Sequence, residues 1–435
     1  MSASNWIDAV PVAAESDAAN TEAARWSVAT RVAFRFTFAY LVLYNFPFPF
    51  DLFPFTESLA NRYFDLWIRL IPAVAVRVFG VHADVLPNGS GDTTFNYIQV
   101  FCFAILAAAV TVLWSLLDRR RASYTRLHEW LRVYIRFALG SAMISYGAVK
   151  VIQSQFPPPT LDRLVQPFGD ASPMGILWTF MGASAAYNVF SGAGEMLGGI
   201  LLLIRRTTLL GALVSSAVLA NIVALNFFYD VPVKLYSLHL LAMAGFLAVP
   251  DLRRMFEFFI RHKPADLFSA KWRRTAAMVL STAVLILLVV FQLQRAQASR
   301  KQWGDLSPRS PLRGIWNVDS LTANGVDRPP LVTDAKRWRR MVFDGAQVVA
   351  IQTMDDHRQR YVLALDERNH TMNLKKREET SSVSFEYRRP DPNTLIVDGT
   401  MNGEKLHATM HRADARAFLL TTRGFHWINE YPFNR

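Results

Sequence analysis

The hydrophobic pattern changes character near residue 294. Before that point, apolar runs of about twenty residues recur, each long enough as a helix to cross a hydrocarbon layer. After it the runs are short and alternate apolar with polar positions, the period of a half-buried strand. Seven long runs read as helical spans: residues 28–46, 97–117, 130–152, 187–206, 209–228, 235–249 and 275–293. Between the first two, FPFPFDLFPF sets three prolines among aromatics and excludes regular helix. Residues 59–81 then interrupt apolar positions with Arg62, Asp65, Arg69 and Arg77, which predicts an amphipathic surface helix kinked at Pro72. PNGSGD, at 87–92, reads as a turn.

The fourth run, YNVFSGAGEMLGGILLLIRR, organises the helical half. Asn188, Ser191 or Gly192, Glu195, and Gly198 or Gly199 recur at helical spacing on one face. A carboxylate at bilayer depth costs roughly 2.5–3.5 kcal/mol, so Glu195 is expected to turn inward to a partner, and the glycines let a second helix approach. The third run puts Arg136, Gly140, Met143, Gly147 and Lys150 on one face, with Tyr146 one turn before Lys150. The expectation is a buried Arg136–Glu195 pair, with Lys150 either lining a cavity above it or reaching the outer headgroups. The fifth and sixth runs add Asn221, Asn226, Tyr229, Asp230, Lys234, Tyr236 and His239; a lone His of this kind reads first as a hydrogen-bonded helix contact. Arg31 and Arg35 in the first run are expected to snorkel, with a buried partner for Arg35 as the alternative.

From residue 310 onward, ten short runs from GIWNV to HWINEY, AFLLTT among them, are separated by turn clusters. They predict an antiparallel barrel or sandwich, either a ligand-holding calyx or a closed structural domain. Gly314-Ile315-Trp316 resembles the G-x-W that opens lipocalin-type barrels, with Arg423 expected to pack on the Trp. The organisation expected is an N-terminal tail (1–25), a polytopic helical membrane bundle (26–295), a linker (296–310) and an all-β domain (311–435).

Composition agrees: 435 residues, 51% hydrophobic and 13% aromatic. The net charge of +12 is concentrated in loops, at Arg119–Arg121 and Arg126, at Arg205 and Arg206, and from Arg253 to Arg274. These loops alternate along the seven spans and predict a cytoplasmic N-terminus and an extracytoplasmic β-domain, in a bacterial inner membrane. A polar, acidic stretch precedes the first run, which is expected to act as an uncleaved anchor. No nucleic-acid module is present, so no nucleic-acid partner is expected. The single Cys102 excludes a disulfide framework, and neither a metal nor a nucleotide motif occurs.

SYGAVKV followed by FSGAGEMLGGILLLIRRTTLLGALV resembles the DoxX family, whose four-helix core has G-x-x-K and then F-x-G-x-x-E-x-x-G-G-x-L-L-L. Gly147 and Lys150 match the first motif; Phe190, Gly192, Glu195, Gly198, Gly199 and Leu201–Leu203 match the second, so the resemblance covers residues 128–250. It implies membrane redox chemistry linked to quinone. SYGAVKV with an external β-domain is also similar to the vitamin K-dependent carboxylase-like group, which implies Lys150 as a base acting on a reduced quinone.

Two functions follow. In the first, a quinone-linked redox or carboxylase-like enzyme uses Lys150, Glu195 and His239 catalytically, with Arg136, Tyr146, Asn188, Asn226 and Asp230 around the cofactor. In the second, a non-catalytic anchor presents the β-domain to an extracytoplasmic protein partner or to lipid. The partners expected are the bilayer, a quinone or lipid ligand, and an extracytoplasmic protein.

Overall fold

The computed structural model describes residues 25–50, 56–86, 88–262, 275–376, 379 and 381–433. The N-terminal tail to residue 24, the end of the FPFPFDLFPF run, Pro87, the basic positions Lys263, Lys271, Arg273 and Arg274, and residues 377, 378, 380, 434 and 435 lie outside the described residues.

The helices in chain order are α1 (Val28–Asn45), α2 (Glu57–Val74), α3 (Thr94–Leu117), α4 (Thr125–Val151), α5 (Leu161–Leu164), α6 (Pro173–Ala183), α7 (Ala185–Leu203), α8 (Thr208–Phe228), α9 (Lys234–Ala248), α10 (Leu252–Phe259) and α11 (Thr275–Trp303). The long helices fall on the apolar runs, with these differences. The apolar PMGILWTFMGA forms its own helix, α6, the short α5 and α10 form in connections where no helix was expected, and α11 continues to Trp303. α2 contains Pro72 and passes at Ala75 into a π-helical turn that ends at Gly80.

Among the described residues, four helical stretches are long and apolar enough to cross a membrane: Thr94–Leu117, Arg205–Phe228, Lys234–Phe259 and Thr282–Gln302. The expected count was seven. Helices α1, α4 and α7 form over the other three runs, but Arg31 and Arg35, Arg132, Arg136 and Lys150, and Asn188 and Glu195 respectively lower their apolar character below that standard.

The C-terminal part is an antiparallel meander of β1 (Gly314–Ala323), β2 (Val326–Asp327), β3 (Trp338–Phe343), β4 (Val348–Thr353), β5 (Arg358–Asp366), β6 (Thr371–Lys375), β7 (Ser382–Asp391), β8 (Thr394–Met401) and β9 (Glu404–Arg412). β9 returns to pair with β1 from Trp316↔Arg412 to Ala323↔Leu406. β1 and β3–β9 therefore close an eight-stranded barrel, with the two-residue β2 added on β1. AFLLTT and HWINEY are not strands: once β9 has paired with β1, no barrel edge remains to receive them. Leu419–Thr422 instead makes a short helical turn, α12.

The barrel interior is a packed core. Trp316, Met341, Phe343, Met372, Phe385, Leu395 and Met410 point inward and are buried, which supports the closed structural alternative over a hollow calyx. Trp316 donates its Nε1–H to Leu312 O at 2.8 Å. The cation over its ring is Arg389, at 5.8 Å, and not Arg423, which packs on Phe433 at 3.9 Å. Arg337 is buried and donates to Arg328 O at 2.9 Å and Asp319 O at 3.2 Å; burial pulls its guanidinium below the ordinary arginine range.

The chain forms two compact units: residues 1–140, 205–219 and 232–267 in one, and 141–204, 220–231 and 268–435 in the other. In the first, Trp67, Ile71 and Ala75 pack on Phe95, Ile98 and Phe103. In the second, Leu161 and Val165 lie on Ile315, Val342 and Ala350, the outward-facing neighbours of the core residues on β1, β3 and β4.

Candidate functional site

In the second unit α4 and α7 cross at a pair of glycines. A Cβ on Gly147 would lie 2.5 Å from Gly192 O, and one on Gly192 would lie 2.6 Å from Gly147 O. The backbones meet because neither position has a side chain. One turn beyond each glycine, the helices present opposite charges. Lys150 Nζ lies 2.7 Å from Glu195 Oε1 and 2.9 Å from Oε2. Glu195 is fully buried and Lys150 is 6% exposed. The ammonium also faces the rings of Tyr146, at 5.8 Å, and Phe156, at 5.9 Å. Asn188, one turn before Ser191 on α7, donates to Phe156 O at 3.0 Å and fixes the chain that leaves α4 over the pair.

The expected Arg136–Glu195 pair is thus replaced by Lys150–Glu195. Arg136 belongs to the first unit, where it hydrogen-bonds Thr208 Oγ1 at 3.5 Å. The reason is register: Lys150 follows Gly147 by one turn and lies beside the glycine crossing with Glu195, whereas Arg136 lies about three turns before Gly147.

Beside the pair, α4 and α11 enclose a partly open cavity of about 320 Å³ lined by Ser145, Tyr146, Val149, Gln292, Arg295, Ala296 and Ser299. Tyr146 borders both the cavity and Lys150. Asn226, at the end of α8, is buried in the same unit. Asp230 is exposed in the following turn, with a left-handed φ of 51°.

His239 lies in the first unit. Its Nδ1 meets Leu235 O at 2.6 Å, and a carbonyl can only accept, so Nδ1 carries the proton. Nε2 then accepts from Tyr40 Oη–H at 2.6 Å, and Tyr44 stacks on the imidazole at 4.0 Å. This tautomer makes His239 a tie between α9 and α1. In the same unit Arg35 is buried, donating to Tyr124 Oη at 2.7 Å, Ser115 Oγ at 2.7 Å and Asp118 O at 2.8 Å, the buried alternative to snorkelling.

Two sites escaped the sequence reading. Asp92 accepts from the backbone N–H of Lys234 at 2.7 Å and of Leu235 at 2.9 Å, capping α9 from the PNGSGD turn. Asp162 on α5 accepts from Arg358 at 2.9 Å and Arg360 at 2.8 Å on β5. Its partners lie 196 and 198 residues away, so no local pattern marks it. No group of three or more metal-binding side chains occurs among the described residues.

The fold and its polar pairs define the class: a helical protein with four membrane-competent stretches that carries a closed β-barrel. No protein-family model and no solved structure matches the chain. A stretch of 133 residues is 37% identical to the uncharacterized protein YwoB of Bacillus subtilis (strain 168), covering 30% of this chain and 82% of YwoB. Over that stretch the chain belongs to the same family as YwoB.

Proposed function

We propose that the chain is an integral membrane protein whose helices anchor and orient the β-barrel, and that Lys150–Glu195 is the latch between α4 and α7. The observation that carries this reading is the closed geometry at the glycine crossing. Each charge is spent on the other at 2.7 Å, under the Phe156 segment. The filled barrel supports it too, since a packed interior offers its outer surface, rather than a calyx, to an extracytoplasmic protein or to lipid.

On this reading α1, α4 and α7 also cross the bilayer, because their polar residues turn inward to partners. Seven spans result, in a bacterial inner membrane, with the N-terminus cytoplasmic and the barrel outside. An impermeant maleimide applied to intact spheroplasts should label a Gly403→Cys variant in the β8–β9 turn, and labelling only after lysis would reverse the orientation.

A second reading, the quinone-linked redox or carboxylase-like enzyme of the DoxX resemblance, draws on Tyr146, which touches both Lys150 and the cavity. In it Lys150 leaves Glu195 to act as base. Mass spectrometry of protein purified with native lipids separates the two. The anchor reading expects no stoichiometric quinone; a quinone present in wild type and lost in Lys150→Ala or Glu195→Ala would overturn it.

A further inference from the structure

α11 carries two arginines near its C-terminal end, and the structure treats them differently. Arg300 is neutralised by Asp305, with Nε 2.6 Å from Oδ1 and Nη2 2.7 Å from Oδ2. Arg295 has no hydrogen bond or ion pair among the described residues, and it lines the cavity against α4. Gln292, one turn earlier on the same face, is 5% exposed, and its side chain likewise makes no hydrogen bond among the described residues. The face Gln292, Arg295, Ala296, Ser299 follows the i, i+3, i+4, i+7 spacing of one helix side. Opposite it stand Ser145, Tyr146 and Val149 of α4. The one carboxylate nearby that the latch supplies, Glu195, is already held by Lys150.

We infer that this cavity between α4 and α11 binds the phosphate headgroup of an anionic phospholipid. Its polar lining supplies donors: the guanidinium of Arg295, the Gln292 amide N–H groups, and the hydroxyls of Ser145 and Ser299. Such a set matches phosphate oxygens, which only accept, and a guanidinium meets phosphate with paired N–H bonds. Arg295 is exposed and has no counter-charge among the described residues, so its guanidinium is available to an anion from outside the chain. The depth fits a lipid. Arg295 follows the end of the apolar run at residue 293 by two positions, about 3 Å at 1.5 Å per residue, which is the level of the headgroups. The volume of about 320 Å³ holds a phosphate with its glycerol, and Val149 and Ala296 line its apolar wall.

The test is native mass spectrometry of the full-length protein in detergent. It is titrated with phosphatidylglycerol, with phosphatidylethanolamine of matched chains, and with inorganic phosphate at the same concentration. Wild type should retain one phosphatidylglycerol at least tenfold more than phosphatidylethanolamine. Arg295→Gln and the cavity-filling Ser299→Phe should each remove that excess while the lipid-free thermal midpoint stays unchanged. Equal retention of the two lipids by wild type overturns the inference whatever the variants do. So does an excess that survives Arg295→Gln, displacement of the lipid by inorganic phosphate at equal concentration, or a neutral isoprenoid quinone found in the lipid's place.

Discussion

Glu195 and Asp162 are both buried carboxylates in one compact unit, and their surroundings differ in kind. Glu195 has one cation and is fully enclosed at a crossing of two helices. Asp162 has two, Arg358 and Arg360, and sits at the joint between a loop helix and the barrel wall, where the Arg360 side chain is 59% exposed. The first acid cannot be hydrated if its partner goes. The second keeps another guanidinium and nearby water. Burial alone therefore does not rank the two. What ranks them is what remains to solvate the charge after a partner is lost.

Variants that separate the two sites test this ranking. The largest effect is expected at the crossing itself. Gly192→Leu places a side chain where even a Cβ would be 2.6 Å from Gly147 O and 2.8 Å from Lys150 Cβ, so the helices must part. Size-exclusion of the detergent-solubilised variant should show loss of the monodisperse species. Next, Lys150→Met alone strands Glu195 and should cost about 3–5 kcal/mol in denaturant unfolding, as removing one member of a buried pair does. Asp162→Ala removes the acceptor shared by the largely buried Arg358 and the exposed Arg360 and should cost about 1–3 kcal/mol, read as earlier protease cleavage in residues 153–172. Arg360→Ala, mostly in water and with Arg358 left in place, should cost less than about 1 kcal/mol. If Arg360→Ala matched Lys150→Met, the ranking by residual solvation would fail.

The sequence carried one of these acids plainly and hid the other. Glu195 is conspicuous because a carboxylate among leucines and glycines has few places to go. Asp162 sits in a short polar loop, where a carboxylate reads as solvated, and its partners are almost two hundred residues away. The choice of cation was not legible either. Periodicity put Arg136 and Lys150 on one face, but which of them reaches Glu195 depends on how far the helices slide before Gly147 meets Gly192. The same limit shows in the barrel. Alternation marked the eight barrel strands and the inward Trp316, yet it also marked AFLLTT and HWINEY, because alternation records a capacity to pair and says nothing of whether an edge is free. Arg389 displaced Arg423 over Trp316 for a related reason: strand register, invisible in the sequence, decides which cation reaches the ring. Span count suffered from the polar residues themselves. The side chains that tie α1, α4 and α7 to their neighbours are those that lower the helices' apolar character.

If Lys150 and Glu195 hold two helices together, a double-mutant cycle on the full-length protein reads it directly. Thermal unfolding would compare wild type, Lys150→Met, Glu195→Leu and the double variant. Two well-packed apolar side chains can replace a buried ion pair at little cost, so the double variant should unfold within about 1 kcal/mol of wild type while each single variant falls well below it. A double variant as unstable as the worse single variant, or single variants as stable as wild type, would contradict the latch.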